Sequence, residues 1–215
     1  MITVRAFTFN MVAVNTFVLH DETGEAAIVD CGCMTPAEEK QLSDYVSGHQ
    51  LTVKRLLCTH LHFDHVLGNR FAAQTWGLQP EAHRNDVEQL PSPEAQVRAM
   101  HLPFPVRFAE TGYRFLTDGE TIAFGHSELT TLHTPGHSPG SLSFYAPQDG
   151  FVIAGDVLFQ GGIGRTDLWG GHFDTLMASI RERLLLLPED TAVFPGHGPP
   201  TTLLAEKQHN PFLKK

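Results

Sequence analysis

His60-Leu61-His62-Phe63-Asp64-His65 places three imidazoles and a carboxylate in one short stretch. These are donor types that borderline divalent ions such as zinc accept. Leu61 and Phe63 interleave as apolar anchors. The alternation points His60 and His62 to one side, while Asp64 and His65 fall on the turn beyond, so that two adjacent ions can share the loop. Three further polar residues directly follow apolar runs: His137 in T-P-G-H-S-P-G, Asp156 in I-A-G-D-V and His197 in F-P-G-H-G-P. Taken singly, the two histidines read as well as solvated residues of Pro-Gly turns, and Asp156 as a turn cap. Their shared placement makes them candidate ligands. Ions in such a cluster bring the pKa of bound water toward neutrality and polarise a carbonyl, so hydrolysis there needs no serine or cysteine nucleophile.

Delivering these groups to one place requires strands that end in polar loops. Residues 2–9, 15–20 and 26–30 are short, β-branched and aromatic, with turn-like stretches between them, and predict an opening antiparallel meander. Pro36 and the acidic residues after it predict a helix running to Val46, closed by Gly48. A buried strand over 53–58 runs into the histidine motif, and helical spacing resumes over 66–76. The stretch 85–116 is less regular, with a helix expected over 93–100, and is a candidate lid. Strands follow near 121–124, 128–133, 141–145 and 151–154, then a helix over 174–187 and a last strand over 191–194. No linker, residue-level repeat or low-complexity segment interrupts the pattern.

Length and composition bound the partners. A chain of 215 residues accommodates one compact α/β domain spanning 1–215. Three cysteines, with Cys31 and Cys33 in D-C-G-C, match neither a Cys-x-x-Cys redox motif nor a secretory disulfide framework, which predicts reduced thiols and a cytoplasmic protein. Neither a signal-like opening nor an apolar run of roughly 18 residues is present, so no targeting segment or membrane span is expected. A formal charge of -9, from 15 basic and 24 acidic residues, argues against a broad nucleic-acid surface and favours a small-molecule substrate. Against that background 13 histidines are many.

The order H-x-H-x-D-H, a later loop histidine, a Gly-Asp after a strand and a terminal histidine resembles the metallo-β-lactamase fold superfamily over nearly the whole chain. The resemblance implies a four-layer αββα sandwich with the site at one edge of two packed sheets. Residue by residue, it implies that His60, His62 and His137 hold one metal and that Asp64, His65 and His197 hold a second. Asp156 then bridges them, and Asp64 and Asp156 serve catalysis with a metal-bound hydroxide. Two divalent ions, two carboxylates and one hydroxide leave the site near a single positive charge, an attractor for an anionic substrate. Zinc is the default metal, with iron and manganese as alternatives.

Within the superfamily, lactamases mostly place cysteine or another non-bridging arrangement where Asp156 stands. Lactam cleavage also needs a proton for a poor amine leaving group, whereas a thioester releases a thiolate from a thiol of pKa about 8.5. No dedicated general acid is evident, which suits a thioester. Glyoxalase II enzymes, hydroxyacylglutathione hydrolases, use the seven ligand types found here. The chain ends soon after His197, and its H-N-P-F-L at 209–213 with G-G-I-G-R-T-D at 161–167 resembles the short bacterial glyoxalase II-like group. The implied substrate is a small anionic thioester of the S-lactoylglutathione kind, with Arg165, then Lys207, as candidate carboxylate contacts and His172 as a further one. The Gly-Arg-Thr-Asp stretch also resembles persulfide dioxygenases, which hold one iron with the equivalents of His60, His137 and Asp156. A two-metal phosphodiesterase or nuclease is a third alternative. His133 reads as a packed residue near the site, Cys58 as core, and Asn10, Asn15 and the Cys31-Gly32-Cys33 turn as supports beneath the metal loop.

Overall fold

The computed structural model describes residues 1–102 and 112–214. The chain opens as the meander β1 (Thr3–Phe9), β2 (Val14–His20) and β3 (Glu25–Val29). Helix α1 (Pro36–Gly48) follows, with Thr35 and Glu38 capping each other's backbone and Pro36 in the first turn. Next come β4 (Thr52–Leu57), the single turn α2 (Phe63–Val66) and α3 (Asn69–Trp76), then β5 (Pro80–His83), α4 (Arg84–Gln89), α5 (Pro93–Ala99) and β6 (Arg114–Leu116). Strands β3 to β6 pair in parallel and complete a first sheet in the order β1-β2-β3-β4-β5-β6.

The second half holds β7 (Thr121–Phe124), β8 (Ser127–His133), β9 (Leu142–Ala146) and β10 (Phe151–Gly155), with a small hairpin of β11 (Leu158–Phe159) and β12 (Gly162–Ile163). Helix α6 (Phe173–Glu182), a 3-10 turn (Leu184–Leu186), β13 (Ala192–Pro195), β14 (Thr201–Thr202) and α7 (Leu203–His209) complete it. The second sheet runs β14-β13-β10-β9-β8-β7, antiparallel except for the parallel pair β10 and β13.

Period-two alternation sorts the side chains into layers. Phe17, Leu19, Ala27 and Val29 face inward against Phe144, Ile153, Leu129 and Ile122 of the other sheet. Their neighbours Val18, Ala26 and Ile28 face outward beneath Leu42 and Val46 of α1 and Ala72 of α3. On the far side Val152, Ala154 and Val193 lie beneath Leu176 and Ile180 of α6 and Leu203 of α7. The result is the αββα sandwich, each fully buried large side chain contributing roughly 1.5–3 kcal/mol. Among the described residues no helix is long and apolar enough to cross a membrane.

Strand direction fixes where the chemistry can be. β3 and β4 are parallel, as are β10 and β13, and β8 runs with β10 because both are antiparallel to β9. The segments that follow these strands all emerge at one edge of the sandwich. Cross-sheet hydrogen bonds tie that edge: Leu142 N donates to Thr59 O (2.7 Å) and Asn15 N to Gly196 O (2.7 Å).

Within the stretch 85–116 the helix expected over 93–100 forms as α5, and a further short helix, α4, precedes it; both pack against the metal loop, and 103–111 lie outside the described residues. The helix expected over 174–187 ends at Glu182, because Arg183 leaves helical geometry (φ -122°) and pairs with Asp118.

Candidate metal centre

At that edge the seven candidate ligands converge. His137 Nε2 lies 2.9 Å from His62 Nδ1 and 3.2 Å from His60 Nε2. His197 Nε2 and His65 Nε2 lie 3.2 and 3.6 Å from Asp64 Oδ2. Asp156 stands between the two groups: Oδ2 is 3.6 Å from both His137 Nε2 and His197 Nε2, and Oδ1 is 3.5 Å from His65 Nε2. Two trios, His60-His62-His137 and Asp64-His65-His197, thus each present ligand atoms close enough for one ion, and Asp156 faces both.

The second nitrogen of most of these rings is held. His65 Nδ1 bonds Asp30 Oδ2 (2.9 Å), His137 Nδ1 bonds Arg165 O (2.8 Å), and His197 Nδ1 lies near Val12 O and Ala13 O. His60 Nδ1 approaches Thr59 Oγ1 at 3.1 Å. Such partners fix the tautomer and aim the free nitrogen. Asp30 also accepts from Thr59 N (2.7 Å) and Thr59 Oγ1 (2.6 Å), so it anchors the start of the histidine loop as well as one ligand.

The protonation pattern suits cations. Burial, then the neighbouring imidazoles, pushes the His60 pKa well down, and the same causes bring His62 to about 3. Burial also lowers His137. These rings are therefore neutral and offer lone pairs. Burial opposes the charge on His65, but Asp64, Asp156 and Asp30 raise its pKa well above the usual range. Burial likewise opposes ionisation of Asp156, yet His65, His137 and His197 hold its pKa far down. Buried His65 Nε2 and Asp156 Oδ1 have no hydrogen-bond partner, and three imidazole nitrogens crowd one point with too few protons to bridge them. Donor atoms about a tetrahedral zinc bonded at about 2.0–2.1 Å sit roughly 3.3 Å apart, close to the separations seen. The donor set fits divalent ions.

A cavity of about 510 Å³ opens over this floor. Phe63, Met100, Leu102, Leu168 and Trp169 give it an apolar side, and the Trp169 ring centroid lies 6.4 Å from that of His62. Arg165 also lines it, although its guanidinium pairs with Asp167 at 2.7 Å. The other two expected substrate contacts are elsewhere. Lys207 projects from α7 to Glu189 (3.1 Å), and His172 caps α6 by accepting from Thr175 N (3.2 Å). The C-terminal motif acts on the Arg165 segment instead: Asn210 Nδ2 donates to Gly162 O (2.9 Å), and buried Glu206 accepts from Gly161 N (2.9 Å).

The expected supports are present. Asn10 Nδ2 donates to Gly32 O and Asp64 O, and Asn15 Nδ2 to Pro195 O and Gly198 O. His133 stacks on His83 at 4.1 Å and bonds Pro139 O, and Cys58 is fully buried. Sequence reasoning missed Asp30, Asp86 and Gln96. Asp30 had a signal, a lone acid directly after the apolar strand β3, in the left-handed region (φ 52°). Gln96 gave none: its amide holds Phe63 N (3.0 Å) and Leu61 O (2.9 Å) from α5.

Two packed sheets with a His and Asp cluster at their shared edge define a metal-dependent hydrolase. The model of the Metallo-beta-lactamase superfamily matches residues 10–197, and the chain belongs to that superfamily. The chain is 37% identical over 204 residues to hydroxyacylglutathione hydrolase GloC of Haemophilus influenzae, covering 93% of this chain and 92% of that protein. Among solved structures, the BLEG-1 B3 metallo-beta-lactamase superposes with a TM-score of 0.90 at 35% identity, covering 99% of this chain and all of that one. TTHA1623 in a di-iron-bound form superposes with a TM-score of 0.85 at 34% identity, covering 97% of this chain and all of that one.

Proposed function

We propose that this chain is a two-metal hydrolase of a small thioester, of the kind formed between an acyl group and glutathione. The observation that carries the reading is Asp156, whose two oxygens lie within 3.6 Å of ligand nitrogens from both trios, which supports reading the two as one binuclear centre. The GloC relative supports the thioester, and the di-iron form of TTHA1623 supports two ions in this fold. In this reading His60, His62 and His137 hold one ion, Asp64, His65 and His197 the other, and Asp156 both. Bound there, divalent ions bring water toward ionisation at neutral pH and polarise the thioester carbonyl. Zinc is the default, with iron or manganese as alternatives.

The remaining work falls to the chain. Asp30, Arg165 O and Val12 O keep the His65, His137 and His197 rings aimed. The Trp169 and Met100 side of the cavity takes the apolar part of the substrate and excludes water from it. Arg165 turns from Asp167 to a substrate carboxylate; their exposed pair is worth little and costs little to exchange. A thiolate leaves without a protonated acid beside it, because thiols ionise near pH 8.5.

Likeness to BLEG-1 favours lactam hydrolysis as the second reading. Hydrolysis of S-lactoylglutathione by protein loaded separately with zinc, manganese and ferrous iron tests the first. Turnover at a kcat/KM of about 10⁴ M⁻¹s⁻¹ or more is expected. Faster opening of a β-lactam by the same preparation, or oxygen uptake with glutathione persulfide in place of hydrolysis, would reject it.

A further inference from the structure

Behind the three-imidazole half of the cluster stands a carboxylate that is not among its ligands. Asp86, in the first turn of α4, is buried. Its Oδ2 accepts from Leu61 N (2.9 Å) and Ser138 Oγ (2.9 Å), and its Oδ1 from Gly140 N (2.5 Å). Leu61 lies between His60 and His62, and Ser138 follows His137. One side chain therefore joins the loop after β4 to the loop after β8, which come from opposite sheets and together supply all three imidazoles. Among the described residues Asp86 enters no ion pair, and these three donors are its hydrogen-bond partners. Asp30 stands in the corresponding place behind the other half, where it touches the ligand His65 directly. Asp86 reaches its ligands only through the backbone and one hydroxyl.

We propose that Asp86 is a positioning residue that sets the spacing between the His60-His62 pair and His137, and thereby the affinity of that half of the centre for a divalent ion. The inference rests on the cluster being a two-ion site. Both oxygens of Asp86 are needed as acceptors. In Asp86→Asn one of them becomes an NH2 group, and either Leu61 N or Gly140 N is left facing a donor. Gln96 still holds Leu61 O and Phe63 N, so the loop keeps its fold while one of the two backbone ties, to the histidine loop or to the loop after β8, is lost. The cost falls on spacing as well as on stability, and only the first is specific to one half of the centre.

The test compares wild type, Asp86→Asn and the milder Ser138→Ala, each as full-length protein. Zinc affinities are read by chelator competition, and the identity of each site by cadmium-113 NMR, in which a three-imidazole site and a site with carboxylate and imidazole ligands resonate apart. Asp86→Asn is expected to weaken the three-imidazole site 10- to 100-fold, the range for loss of a partner behind metal ligands, and leave the other unchanged. Ser138→Ala shifts the same site in the same direction by less. The control is Asp21→Asn, which removes a buried carboxylate from the opposite end of the sandwich, where β2 ends against the start of β3. It is expected to lower stability with both affinities intact. Equal weakening of both sites in Asp86→Asn, or unchanged affinity in both Asp86→Asn and Ser138→Ala, would overturn the proposal. A single cadmium resonance in wild type would sink the two-ion reading and this inference with it.

Discussion

Gly196→Ala should disable the centre while leaving the fold intact. A Cβ at Gly196 would lie 2.2 Å from Asp156 Oδ1 and 2.7 Å from His65 Cε1, where ordinary contact begins at 3.4 Å. The backbone cannot retreat easily, because Gly196 N donates to Gly155 O (2.8 Å) and Gly196 O accepts from Asn15 N (2.7 Å). The Asp156 carboxylate must therefore yield by about 1 Å, several times the roughly 0.2 Å that metal-ligand distances tolerate. Because Asp156 faces both trios, both ions of the proposed two-ion centre would lose a ligand. A misplacement of that size costs about 100-fold in rate, and the same fall in kcat/KM for S-lactoylglutathione is expected, with fewer than two ions retained after dialysis. The assay pairs steady-state hydrolysis with elemental analysis, and thermal melting of the metal-free protein checks the fold. Two ions retained at wild-type kcat/KM would refute the reasoning.

Three more outcomes follow from particular side chains. Burial alone would raise the Asp21 pKa, but hydrogen bonds from Thr23, Ser127 and the His126 backbone bring it down to about 2. A depressed folded pKa stabilises above the unfolded value near 3.8 and loses that contribution as pH falls toward 2. Asp21→Asn should therefore cost about 2 kcal/mol at pH 7 in urea unfolding, with the gap to wild type narrowing below about pH 4. Arg165→Ala should raise KM for an anionic thioester about ten-fold, for a lost charge-assisted contact of about 1.5 kcal/mol, with kcat nearly unchanged; a fall in kcat at constant KM would place Arg165 in the chemical step instead. Lengthening the acyl chain of the thioester should raise kcat/KM by up to about four-fold per methylene as it packs on Trp169 and Met100, and Trp169→Ala should flatten that dependence. An identical slope in the variant would remove the apolar side of the cavity from specificity.

What the sequence made legible was whatever repeats at short range. The histidine motif, the Pro-Gly turns and the apolar runs before His137, Asp156 and His197 marked the seven clustered residues as candidates, and the resemblance to the superfamily implied the edge they occupy. Which side chains of β2, β3 and β10 meet between the sheets was not legible, because these strands are buried on both faces and show no alternation of polar and apolar residues. The middle of the chain was harder to read. β5 has four residues and begins at Pro80, α4 has six, and both are stabilised by partners far away in sequence, such as Arg55 and Arg114 on buried Glu81. Pairings of this kind leave no periodic trace. The same holds for Lys207 and His172: their types suited substrate binding, but Glu189 and the α6 N-terminus claim them. Asp86 and Gln96 look like ordinary polar residues of short helices, and only the fold shows that both grip the backbone of the metal loop.

Metal titration of the metal-free protein tests the central claim most directly, with hydrolysis of S-lactoylglutathione followed as zinc is added. A binuclear centre built on Asp156 predicts that activity climbs until two equivalents are bound per chain. Full activity at one equivalent, with the second ion binding silently or not at all, would contradict it.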